Sequence, residues 1–187
     1  MELGRGRRRD PAGGVAVTAG TVTDADLDIV KRQLRRPLRG VRRVPHRCRD
    51  GHPTVVETEP RLPDGTPFPT LFYLTCPRAV AAASTLESNG VMVELAEWVC
   101  SSPDVAAGYR AAHDDYLARR ERIAQVPEIA GVSAGGMPNR VKCLHALVAH
   151  SLAVGRGINP VGDETLNRMA DLEEKPWTPT TCTWTPT

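Results

Sequence analysis

Three short stretches carry residue types that can do chemistry. Cys76 stands in Thr75-Cys76-Pro77, where a β-branched and aromatic run over 70–75 gives way to a proline suited to a first helical position. A thiol at such a helix start faces partly positive amides that favour thiolate over thiol, as a nucleophile, a redox group or a metal ligand needs. A second stretch, Cys143-Leu144-His145 with His150 further on, offers a general base and more metal-binding side chains. The third, Gly135-Gly136-Met137-Pro138-Asn139-Arg140-Val141-Lys142, pairs two glycines with two cations at what reads as another helix start. Free amides, close backbone approach and positive charge make an anion cradle there. It is not a P-loop, because neither GxxxxGK[ST] nor a preceding strand is present.

Taken together, these residues suggest a cleft for a small anionic or phosphorylated molecule. Arg61, Gly136, Arg140, Lys142 and Asn159 would bind it, Cys76 would be the reactive thiol and His145 the general base. A second reading is metal or iron–sulfur binding by Cys48, Cys76, Cys143 and His145. If a regular helix covers 138–154, Cys143 and His145 point about 200° apart and cannot share one ion. That reading therefore requires the helix to begin later. A third reading is a non-catalytic adaptor that docks a partner protein through the basic first helix and the exposed face of 103–124. Against all three stands ordinary packing, since cysteine is among the most buried residue types and histidine is frequently half-buried. No particular cofactor is indicated.

The elements that must position these groups follow from pattern. Thr23 caps a helix over about 24–35, with Asp24, Asp26 and Asp28 at its start and Lys31, Arg32, Arg35 and Arg36 at its end. Short β-like runs follow at 41–44, 54–58 and 70–75. Asp50-Gly51 turns the chain between the first two. PRLPDGTPFP, residues 60–69, holds four prolines and reads as a stiff loop. The 70–75 run lacks alternation, which predicts a strand buried on both faces. Helices are expected over 77–88, 91–100, 103–124, 138–154 and 163–172. The class is α+β, a small, mainly antiparallel three-stranded sheet packed with five or six helices, the 138–154 helix long and central. Residues 21–173 read as a single globular domain. The basic 1–20 tail and the Pro/Thr-rich 174–187 tail, with its repeated WTPT, read as disordered.

Composition narrows the classes further. The net charge of +2 divides unevenly: residues 1–47 hold 12 Lys/Arg against 5 Asp/Glu, and the remainder is acidic. No aromatic residue precedes Phe68, so the basic arm lacks the stacking groups of single-strand binders, which disfavours nucleic acid. No apolar run approaches the roughly 18 residues of a membrane span, and the N-terminal stretch is glycine-broken and too short for a signal peptide. A cytoplasmic location is expected. The five cysteines are widely spaced, with no CxxC pair, which argues against a disulfide framework and excludes a zinc ribbon or finger motif.

GTPFPTLFYLTCP (65–77), GGMPNRVKCLHALVAHSLAVG (135–155) and NPVGDE (159–164) occur in this order along the chain. With these motifs the chain resembles domain-of-unknown-function family 501, small and mainly actinobacterial proteins, over about residues 24–172. The family has no established activity. Its typical gene neighbours, among them enolase, a septum-formation initiator protein and an exopolyphosphatase, imply a cytoplasmic role and a hint of phosphate chemistry or division. The resemblance marks Cys48, Gly51, Pro53, Pro67, Cys76, Arg140, Lys142, Cys143, His145, His150, Asn159, Pro160 and Gly162 as signature positions. The PT/W-rich tail departs from the family pattern.

Overall fold

A computed structural model describes residues 20–182 together with 184 and 185. The tail expected over 1–20 therefore lies, but for Gly20, outside the described residues. A two-residue strand β1 (Gly20–Thr21) precedes helix α1 (Asp24–Leu34), and then come β2 (Val41–Arg47), β3 (Pro53–Thr58) and β4 (Phe72–Leu74). Helices α2 (Pro77–Ser88), α3 (Val91–Ser101) and α4 (Pro103–Glu121) follow, then a 3-10 turn (Pro127–Ile129), α5 (Leu144–Val154) and α6 (Pro160–Ala170). β2, β3 and β4 form a three-stranded antiparallel sheet, with β1 added at the β2 edge. The fold is α+β, as expected.

Helix α1 starts as its sequence dictates. The Thr23 hydroxyl accepts from the Asp26 amide and the Asp26 carboxylate accepts from the Thr23 amide, a reciprocal cap. Arg47 grips the same carboxylate with two guanidinium nitrogens, at 2.5 and 2.8 Å, and this pairing holds Asp26 at about 2, below the usual carboxylate range. The fork ties α1 to the end of β2. Val30 of α1 then meets Val44 and Val56 on one face of the sheet.

The other face carries the main core. Val55, Phe72 and Leu74 pack there with Ala79, Ala82, Ala83 and Leu86 of α2 and with Leu144, Leu147, Val148 and Ala149 of α5. Neighbouring β3 residues thus serve opposite faces, and all six residues of β3 are buried. The doubly buried strand is β3; the 70–75 run assigned that place from its sequence leaves Tyr73 of β4 half-buried. α6 lies so close to α5 that a Cβ on Gly162 would collide with the Leu147 carbonyl and the Ser151 hydroxyl. Only glycine admits that approach.

Two expectations are corrected. The central helix begins at Leu144 and not at Pro138. Gly135 and Gly136 take positive φ, and the Gly135 carbonyl accepts from the amides of Lys142, at 2.7 Å, and Cys143, at 3.3 Å. With those amides bound to the loop, residues 138–142 cannot join a helical ladder. The second correction concerns the segment after α6. Trp177 is 1 % exposed and Cys182 2 %; the Trp177 amide bonds the Met169 carbonyl and the Pro179 carbonyl accepts from Arg49. The packed body therefore continues beyond residue 173.

Candidate functional site

The later start of α5 changes what its first residues can do. Cys143 becomes the N-cap, in extended conformation (φ −152°, ψ 109°), so its side chain escapes the helical angle that would have separated it from His145. Its sulfur lies 3.9 Å from His145 Nδ1. Glu87, the penultimate residue of α2, places Oε1 3.0 Å from the same nitrogen and 2.7 Å from the Leu144 amide, thereby capping α5. Ser84 Oγ stands 3.2 Å from His145 Nε2. Cys143, His145 and Glu87 are half-buried, open to solvent on one side.

The electrostatics of this cluster favour an ion pair. The sulfur of Cys143, and then the Glu87 carboxylate, push His145 up to about 9 against the opposing cost of burial. In return His145, and after it the Ala146 amide at the helix start, lower the Cys143 thiol from its ordinary value, while burial and Glu87 oppose. With the imidazole protonated, Nδ1–H donates to Glu87 and Nε2–H to Ser84, so His145 serves as the cation of the pair with no lone pair free. The sequence signalled Cys143 and His145. It gave no sign of Glu87 or Ser84, because both come from α2, some 60 residues earlier, and neither stands in a recognisable spacing.

The other expected site residues are divided among four places. Gly136, Arg140 and Lys142 line one hollow of about 610 Å³, together with His113, Gly135 and Pro138. No helix start underlies this hollow. Its donors are the exposed Arg140 and Lys142 cations. Arg61 lies elsewhere, its guanidinium bound to Glu128 at 2.7 and 2.8 Å and to the Gly65 carbonyl. Asn159 is fully buried: it caps α6 by accepting from Gly162 and donates toward His150 Nδ1. His150, also fully buried, has its pKa lowered by that burial, and as a neutral ring it donates from Nε2 to Asp115. These two are framework residues.

Cys76 is buried under α2, where the neighbouring Cys182 thiol and burial push it up, reversing the expected effect of the helix start. The sulfur of Cys182 is 3.4 Å away. The four-residue metal set of Cys48, Cys76, Cys143 and His145 is thereby split: no group of metal-binding atoms among the described residues joins Cys143 or His145 to Cys48 or Cys76. Two groups of three do have their donor atoms within 4.8 Å of one another, Glu87–Cys143–His145 and Cys48–Asp50–His52. The first satisfies its own charges. In the second, His52 Nδ1 is buried without a hydrogen-bond partner. All five cysteines are free.

The fold and site thus define an α+β protein with a half-buried thiol, imidazole and carboxylate at the start of its central helix. The chain belongs to the DUF501 family of proteins of unknown function, whose family model matches residues 44–167. That span takes in Cys48, Cys76, Glu87, Cys143 and His145, and Cys182 lies beyond it. No curated protein and no solved structure matches the chain. Among the described residues no helix is long and apolar enough to cross a membrane.

Proposed function

We propose that this protein acts through an ionised Cys143 thiol directed at a small electrophilic molecule. The observation that carries the reading is the placement of the Cys143 sulfur at the N-cap of α5, beside a His145 held by both Glu87 and Ser84. A helix N-terminus and an imidazolium are the two surroundings that most lower a thiol's pKa, and here both act on one sulfur. Glu87 orients the ring and sustains its charge, the part a third group plays in nucleophile–base arrangements. The nucleophile is thus Cys143, in place of the buried Cys76.

Site-resolved alkylation of the full chain by iodoacetamide, followed across pH, tests this. Cys143 is expected to react with a midpoint below the ordinary thiol value of about 8.5. His145→Ala is expected to move that midpoint upward and slow alkylation at pH 7 by about threefold or more. An ordinary midpoint, unchanged by His145→Ala, would remove the basis of the proposal.

A second reading rests on the hollow lined by Arg140, Lys142 and His113. Its two exposed cations and glycine-lined wall suit a phosphate or carboxylate group. In a thermal-shift series with inorganic phosphate and small phosphorylated compounds, stabilisation that disappears in Arg140→Ala/Lys142→Ala supports this reading. Equal shifts in both proteins refute it.

A further inference from the structure

The start of α2 and the segment after α6 bring two thiols into contact, and neither reading above uses them. Cys76 is the N-cap of α2, and Cys182 stands 106 positions further along the chain. Their sulfurs lie 3.4 Å apart, and their exposures are 1 and 2 %. The Cys76 side chain makes no capping hydrogen bond, so α2 does not depend on its sulfur.

The contact is held from both sides. Cys76 is fixed where β4 hands over to α2: the Thr75 amide donates to the Thr54 carbonyl at 2.9 Å, and the Cys76 carbonyl accepts from the Val80 amide at 2.9 Å. The Thr75 hydroxyl adds a bond to the Pro53 carbonyl at 3.2 Å. Cys182 is carried by a compact turn. In it the Thr178 amide donates to the Thr181 hydroxyl and the Thr181 amide to the Thr178 hydroxyl, each at 3.1 Å. That turn is anchored at Trp177, whose amide bonds the Met169 carbonyl, and at Pro179, whose carbonyl accepts from Arg49. A disulfide needs its sulfurs at about 2.05 Å, so these two have only about 1.4 Å to close. Side-chain torsions and a small shift of the 178–182 turn supply that movement.

We propose that Cys76 and Cys182 form a reversible dithiol–disulfide pair, oxidised by exchange with a small disulfide of the glutathione class. The Cys182 thiolate attacks one sulfur of the small disulfide, whose S–S bond breaks. One half leaves as a thiol and the other stays on Cys182. The Cys76 thiolate then attacks the Cys182 sulfur and expels the second half as a thiol. One S–S bond is lost and one is gained: the two cysteines give up two electrons, the small disulfide accepts them, and the two thiol protons pass to the leaving thiolates. Because both sulfurs are buried, the first attack waits on lifting of the segment from Trp177 to Cys182. The bond then closes a loop that contains α2 to α6 and staples the segment after α6 to the start of α2. Such a closure restricts the unfolded chain far more than the folded one, so the oxidised form is the more stable.

The test uses the full chain, purified under reductant, freed of it, and equilibrated with an excess of oxidised over reduced glutathione. Remaining thiols are alkylated and the protein is digested without reduction. A peptide pair joined through Cys76 and Cys182 is expected, with the other three cysteines linked to neither. The oxidised chain is expected to unfold at higher urea than the same chain after dithiothreitol, a difference that vanishes in Cys182→Ser. Since a buried pair can react slowly, a second sample is unfolded in urea and refolded in the same buffer. The proposal is overturned if Cys76 and Cys182 are recovered alkylated or carrying glutathione after refolding. It is equally overturned if Cys182 pairs with Cys48, Cys100 or Cys143 instead, or if the joined protein unfolds at lower urea than the reduced one. Alkylation of Cys143 in the same digests reports separately on the reading of that thiol, so failure of one leaves the other standing.

Discussion

Trp177→Ala is expected to lower the unfolding free energy by about 3–5 kcal/mol, the usual cost of deleting a fully buried aromatic side chain. The indole packs in the same core cluster as Met169, Leu166 and Leu74, and the Trp177 amide is held by the Met169 carbonyl. Truncation would open a cavity among residues already fixed by α6 and the sheet, which leaves little scope for collapse. Urea denaturation under reductant isolates this packing effect from any Cys76–Cys182 bond. A loss below about 1 kcal/mol would show that the segment after α6 is not part of the folded body in solution.

Arg120→Met is expected to cost about 3 kcal/mol or more, although the substitution removes a charge from the interior and puts an apolar chain of similar length in its place. Arg120 is 2 % exposed, and its guanidinium donates to the carbonyls of Pro69 (3.2 Å), Ile129 (2.7 Å) and Val132. Those acceptors lie in two loops that approach each other at α4. Methionine would leave them without a donor in a region closed to water. Urea melts measure the loss, and limited proteolysis should show faster cleavage within 126–133. Stability within about 1 kcal/mol of wild type would mean that water or other donors replace the guanidinium.

The sequence carried the helices of the fold well, because their signals are local. Thr23 with Asp26, Pro77, and Ser102 with Pro103 each mark a helix start through contacts within four residues. The sheet was legible from its β-branched runs and the Asp50-Gly51 turn. The start of α5 was not. Pro138 is a good first helical residue, but the Gly135 carbonyl, reached only when the loop folds back, takes the Lys142 and Cys143 amides. That single displacement turned Cys143 from a helix-interior residue into a cap and brought it to His145. Glu87 and Ser84 were invisible for a related reason, since their meeting with His145 depends on how α2 crosses α5. The 174–187 stretch looked unfolded from its Pro/Thr composition, yet Trp177 and Cys182 each find a site in the body. Composition averages over a segment, and two well-placed side chains can anchor it.

The hydrogen bond from Arg49 to Pro179 joins points about 130 residues apart along the chain, so forming it early would carry a large entropic cost of loop closure. The pairing of β2 with β3 and the packing of α2 on α3 and of α5 on α6 span much shorter separations, so the contacts running from Trp177 to Cys182 are expected to dock late, on a surface already built. These interactions then belong to the native state and not to the folding transition state. Strengthening them would slow unfolding while leaving the rate of folding nearly unchanged.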